Sequence, residues 1–250
     1  MGKIPVFRTV GASFERVFGA PVQFWAILML SSAVFALIPD PGNQLDLTVI
    51  NARTLSGLGF FIVYNCAAIF FLGAMTTAML DKARGTRRSI VAALVRGVIV
   101  SPPVILLIIL VFLAIYAPIA VVGLAAPGGL LLVLLPAVIF GLWLSAVYFV
   151  TLPTLVEQRL GFRGIGAASA MTRGNRWRIV GVILIPVLLL IISGLVLLAV
   201  VATLVSTIGP DVIWVGLLPT IILGILGNAL FVACIVEVYT RLSDDPSDVF

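Results

Sequence analysis

The sequence predicts an all-α polytopic membrane helical bundle, with about six transmembrane helices in three repeats of one interfacial amphipathic helix plus a helix pair. Three observations predict it. Of 250 residues, 62% are hydrophobic and 10% charged, whereas soluble domains run at about 45–50% apolar and about 25% charged. Apolar runs long enough to cross a bilayer recur along the chain. The basic residues gather in alternate connections between those runs. A water-soluble core cannot bury this much apolar surface without leaving large exposed patches; lipid solvates it.

A helix needs about 20 apolar residues to span the hydrocarbon. Candidate spans fall at 22–38, 57–80, 103–125, 130–152, 179–205 and 212–238. Mixed residues fill the stretch before the first of these. A signal peptide would lead at once into an apolar run, so none is expected. Cys66 and Cys234 lie inside apolar runs, where cysteine behaves as a small hydrophobe, and they imply no disulfide framework.

The connections alternate in charge. The N-terminal arm carries Lys3, Arg8 and Arg16, the stretch 81–102 carries Lys82, Arg84, Arg87, Arg88 and Arg96, the stretch 153–178 carries Arg159, Arg163, Arg173, Arg176 and Arg178, and the tail carries Arg241. The connections 39–56, 126–129 and 206–211 hold only Arg53. Fourteen basic residues thus lie on one side and one on the other. The positive-inside rule places both termini in the cytoplasm, and an even number of spans agrees. The expected location is a bacterial plasma (inner) membrane. The net charge of +5 and pI near 9.8 follow from this topology; no basic soluble domain exists to bind nucleic acid.

The basic segments are amphipathic. At 100° per residue, Phe7, Val10, Phe14, Val17 and Phe18 fall within an arc of about 100°, opposite Arg8, Thr9, Ser13, Glu15 and Arg16. Residues 87–99 place Ile90, Val91, Leu94, Val95 and Val98 on one face and Arg96 on the other. Residues 162–173 repeat the pattern weakly, with Ala and Gly. These read as interfacial helices. The chain is then a single integral membrane domain, 1–250, with repeats at approximately 1–80, 81–152 and 153–242 and a short cytoplasmic tail at 243–250. Asp81-Lys82-Ala83-Arg84-Gly85 matches Glu157-Gln158-Arg159-Leu160-Gly161 at the two inner junctions. The competing reading is that all inner loops of membrane proteins are basic and amphipathic.

Two sets of residues are functional candidates. Arg16, Arg96, Arg173, Arg176, Trp177 and Arg178 could contact anionic lipid headgroups or a partner subunit, because guanidinium forks match phosphate oxygens. The simpler reading of Arg173-Gly174-Asn175-Arg176-Trp177-Arg178 is a left-handed helix stop followed by interfacial anchors. Asn65, Asn228 and Glu237 are the polar residues placed deepest in lipid. Such residues can form a transport site. Asparagine more often hydrogen-bonds a neighbouring helix, and Arg241 stands four residues from Glu237, in reach for pairing. Pro210-Asp211 reads as an ordinary start signal for the last span. Pro118, Pro136, Pro186 and Pro219 lie inside spans, a feature of transporters and of plain bundles alike. Gly73, Ala74, Thr77 and Ala78, and Gly141 with Ser145, offer small faces for close packing.

The chain holds no histidine, no Walker A, no nucleophile elbow, no metal-spaced ligand set and no dinucleotide fingerprint. No cofactor, no metal and no catalytic residue is expected, and the protein reads as a non-enzyme. Two classes remain open. The first is a structural or accessory component of a membrane assembly, with other membrane subunits as partners. The second is a permease or lipid-handling protein.

The stretch Pro153-Thr-Leu-Val-Glu157, Gly161, Ala168 and Thr172-Arg-Gly-Asn-Arg-Trp-Arg-Ile179 resembles a block of the YciC-like bacterial inner-membrane proteins and of the similar membrane domain appended to some glycerophosphodiester phosphodiesterases. The ending Tyr239-Thr-Arg-Leu242 and the plan of an amphipathic arm before six spans are similar too. The resemblance implies a membrane bundle of an amphipathic arm and six spans. The phosphodiesterase activity belongs to a separate soluble domain that uses histidines, so no catalytic residue carries over.

Overall fold

A computed structural model describes residues 3–37, 52–86, 88–125, 130–158, 160–209 and 213–244. The connections at 38–51 and 126–129, the tail from 245, and Arg87, Arg159, Pro210, Asp211 and Val212 lie outside the described residues. Nine helices follow in order among the described residues: α1 Val6–Phe18, α2 Val22–Leu37, α3 Ala52–Ala83, α4 Ile90–Ala125, α5 Leu130–Tyr148, α6 Thr151–Gln158, α7 Arg163–Met171, α8 Arg176–Ile208 and α9 Ile213–Ser243. No strand occurs among them. The chain is a polytopic helical bundle. Five helical stretches are long and apolar enough to cross a membrane, and α1 with α2, bent by 86° at Gly19–Pro21, supplies a sixth if the pair counts as one span.

The order of the ends fixes the layout. Arg84 at the end of α3 bonds Glu157 at the end of α6 and Asp244 just past α9. Arg16 near the end of α1 bonds Glu237 near the end of α9. Arg178 at the start of α8 bonds Ile4. The basic segments therefore meet at one end of the bundle, as an alternation of hairpins requires.

Burial follows the same polarity. The buried residues of α8 are Ile179, Val180, Val182 and Pro186, all in its first three turns. Among the residues whose burial is described, buried hydrophobic residues in α3 begin at Ile69, those in α4 stop at Leu107, and those in α5 begin at Ala146. In α9, nearly every residue from Ala229 to Thr240 is buried, and this stretch is the mast around which α1, α3, α6 and α8 pack. The other halves of α4, α5, α8 and α9 are lined with exposed leucine, isoleucine and valine. Lipid tails are as apolar as these side chains, so their exposure costs nothing in a membrane.

Small residues set the closest approach. Buried Gly73, Ala74, Thr77 and Ala78 line the α3 face turned to its neighbours. A Cβ on Gly97 would stand 2.5 Å from the Phe70 carbonyl oxygen and 3.1 Å from the Ala74 nitrogen, so α3 and α4 meet backbone to backbone. Gly141 meets the side chain of Ile115 in α4, whose Cδ1 would stand 3.1 Å from an added Cβ, whereas Ser145 is exposed.

Three points qualify the expectations. First, the apolar arc of α1, expected to lie in the membrane interface, is divided between the bundle and the outside. Thr9, Val10, Ser13 and Val17 are buried, while Phe7 and Phe18 are 83% and 80% exposed. The inward face is rotated by roughly 80° from the centre of the apolar arc. The hydroxyls make this possible: Thr9 donates to the Pro5 carbonyl and Ser13 to the Thr9 carbonyl, so neither needs water. Small residues let α1 lie close on α9, and the phenylalanines lose nothing by facing lipid.

Second, residues 87–99 are not a separate interfacial helix. α4 runs unbroken from Ile90 to Ala125 through Pro102 and Pro103. Its small residues Ala93 and Gly97 face inward, and Val91, Val95 and Val98 face out. Pro102 and Pro103 leave the Val98 and Ile99 carbonyls without helical donors, and Ser101 donates from its hydroxyl to the Gly97 carbonyl one turn back. Third, the fourth span breaks after Tyr148, and the short α6 continues it to Gln158. Gly85 and Gly161, which close the two similar junctions, both adopt left-handed φ, +69° and +53°, where a side chain would be strained.

Candidate functional site

The polar groups of the protein gather at the basic end, and each arginine there has a distinct environment. Glu237 is the centre of the first cluster. Its carboxylate is 8% exposed and accepts from Arg241 Nε at 2.7 Å and from Arg16 Nε at 3.1 Å, with Arg16 Nη2 on the same oxygen as the second arm of the fork. Helical periodicity places Arg241 one turn from Glu237. Arg16 arrives from α1 because the Thr9–Ser13 face lies on α9.

Arg84 centres the second cluster. Its Nε donates to Glu157 Oε1 at 2.8 Å, its Nη1 to Asp244 Oδ1 at 2.9 Å and its Nη2 to Ser243 Oγ at 3.0 Å. The hydrogen bond to Glu157 holds this guanidinium above its ordinary pKa, with Asp244 adding to the effect. The group ties the ends of α3, α6 and α9 together. Sequence reasoning missed it, since the partners stand 73 and 160 residues away. The matching junction motif was its one visible trace.

Arg96 donates twice to the Val156 carbonyl, at 3.2 and 2.7 Å. That carbonyl belongs to the last turn of α6, whose acceptors lack helical partners, so Arg96 caps α6. Arg173 is exposed. Thus Arg16, Arg96 and Arg173 share spacing in sequence but do three different things.

The string 173–178 divides in the same way. Gly174 has the left-handed φ of +85° expected of the helix stop. Arg176 lies 4.8 Å from the centre of the Trp143 ring, a cation–π contact. Trp177 is 64% exposed. Arg178 donates to the Ile4 carbonyl at 3.2 Å, and the Ile4 amide donates to Asn175 Oδ1 at 3.1 Å. Asn175 and Arg178 therefore grip both backbone groups of one residue and pin the N-terminal arm. Replacing both, as Asn175→Ala with Arg178→Gln, is expected to speed exchange of the Ile4 amide hydrogen on the order of tenfold, read by hydrogen–deuterium exchange. An unchanged rate would show that α1 is held from its other end alone.

The expected intramembrane set does not form one site. Asn65 is exposed on α3. Asn228 is exposed on α9 and donates to the Gly224 carbonyl of its own helix. Nine residues of helix, about 13 Å, separate it from Glu237.

Two cavities open beneath the elbow between α1 and α2. One, of about 370 Å³, is lined by Glu15, Arg16, Lys82 and Glu237. The other, of about 600 Å³, is lined by Gln23, Asp81, Lys82, Thr86 and Arg88. Ala20, Pro21 and Lys82 line both, so they are two chambers of one cleft. In the second chamber Asp81 accepts from Thr86 Oγ1 at 3.0 Å and pairs with Arg88 Nε at 3.4 Å. Among the described residues, no three cysteine or carboxylate side chains stand close enough to hold a metal ion.

The chain matches no protein-family model, no curated protein and no solved structure.

Proposed function

We propose that this is a non-enzymatic multi-pass protein of the bacterial inner membrane, acting as a structural or accessory component of a membrane assembly. One observation carries the reading. The packed core occupies the basic half of the bundle, and the other half offers long apolar faces to whatever surrounds it. In the most apolar stretch of α8, only 11% of the residues are buried within the chain. A rigid end with open helical faces suits a protein that packs against other transmembrane subunits. A permease needs polar groups along a path through the bundle, and Asn65, Asn228 and Glu237 supply none. Kinship with the YciC-like group is proposed on the 153–179 block, the ending Tyr239-Thr-Arg-Leu242 and the shared plan. The anionic-lipid role of the arginine string reduces to Arg173 and Arg176, since Arg178 is bonded to Ile4.

Two experiments test this reading. Purification of the full chain in mild detergent should recover a second membrane protein in fixed stoichiometry. Recovery of a lone monomer with solute uptake in vesicles would favour the permease instead. Orientation is tested by reporter fusions after residues 45, 128, 208 and 250. The positive-inside rule predicts periplasmic signals at the first three and a cytoplasmic signal at the last. A periplasmic signal at 250 would overturn it.

A further inference from the structure

The cleft under the elbow holds two charges that the fold leaves unused. Glu15 and Lys82 both line its smaller chamber. Neither takes part in an ion pair among the described residues, with one another or with any other group. The remaining charged groups of the cleft are already matched, Arg16 with Glu237 and Arg88 with Asp81. The cleft as a whole is therefore neutral, with one cation and one anion apart from each other and exposed. An anionic ligand would satisfy Lys82 and leave Glu15 facing added negative charge. A cation would do the reverse. A ligand carrying both charges satisfies both.

The surroundings narrow the class further. The cleft lies where the α3 span ends at Ala83, the depth at which headgroups meet water. Phe18 and Val22 flank the elbow and are each 80% exposed, an apolar rim for hydrocarbon chains. Gly19 lies between: a Cβ there would stand 3.4 Å from Lys82 Nζ and 3.3 Å from the Glu15 carbonyl oxygen. We propose that this cleft binds a zwitterionic phosphate ester bearing a primary ammonium, the headgroup chemistry of an aminophospholipid, with the phosphate on Lys82 and the ammonium on Glu15.

The test uses the full chain in mixed micelles holding equal phosphatidylethanolamine and phosphatidylglycerol, with retained lipid read by native mass spectrometry. The wild-type chain should retain phosphatidylethanolamine about fivefold over phosphatidylglycerol, the scale of one interfacial charge contact. Lys82→Gln should lower phosphatidylethanolamine retention by a similar factor, and Lys82→Arg should restore it. Glu15→Gln should abolish the preference while phosphate lipids are still retained. Equal retention by the wild type, or no response to Glu15→Gln, overturns the proposal. Both side chains are exposed, so the variants should fold, and Gly19→Ala provides a check that keeps both charges and crowds the site. A parallel titration with soluble O-phosphoethanolamine in lipid-free detergent separates the sources. Weak binding there assigns the site to lipid; binding as tight as that of the lipid assigns it to a soluble metabolite of the same chemistry and overturns the membrane source.

Discussion

Gly97→Leu lowers the thermal unfolding midpoint of the detergent-solubilised protein by roughly 6–12 °C and loosens the α3–α4 pair. Any Cβ at this position meets the Phe70 carbonyl at 2.5 Å, well inside contact distance. The obstacle is backbone, which cannot rotate away as a side chain can. The two helices must separate, and with them Ala74, Thr77 and Ala78 lose part of their packing. Overpacking of a tight core costs about 1–3 kcal/mol, and a backbone clash belongs at the upper end. Gly194→Leu is the matched control, since a Cβ there meets nothing within 4 Å. Differential scanning fluorimetry of the two variants checks the claim; equal midpoints would mean that the glycine crossing does not hold the pair together.

Glu237→Ala is expected to cost about 3 kcal/mol. The loss is one of charge compensation rather than of contact area. Removing the carboxylate leaves Arg16 and Arg241 facing each other, with side chains 23% and 27% exposed. Breaking a buried pair costs about 3–5 kcal/mol, and the partial exposure of both arginines places this one at the low end. The double variant Glu237→Ala with Arg16→Ala should recover part of the loss, because the unpaired charge goes with its partner. Urea or thermal titration of the single and double variants gives the coupling directly. Additive losses would show that Arg16 and Glu237 do not sense each other.

The spans were legible in the sequence because the bilayer imposes one length on every crossing helix. What sequence could not give was the direction of each face. A helical wheel finds the apolar arc of α1 but does not say which part of it packs on the bundle and which part faces outward. In lipid the gain comes from close approach, so Thr9 and Ser13 turn inward and Phe7 and Phe18 outward. In α4 likewise, Ala93 and Gly97 are inside and Val95 and Val98 outside. Of the polar cluster, the Glu237–Arg241 pair was legible because it is local. Arg16 with Glu237, and Arg84 with Glu157 and Asp244, were not, because hydropathy and periodicity carry no information across 73 to 221 residues.

The lodging of α1 on α9 has a consequence for the order of assembly. Ribosomes deliver the amino-terminal part of a chain first, and each unit folds as it emerges. Here an early helix needs a late one: 221 residues separate Arg16 from Glu237. Until α9 is inserted, the Thr9–Ser13 face of α1 has no mast to lie on, and the ends of α3 and α6 lack the third anchor of Arg84. The basic end can close only when synthesis has passed Asp244, so chains truncated before α9 should persist as loose hairpins open to membrane proteases.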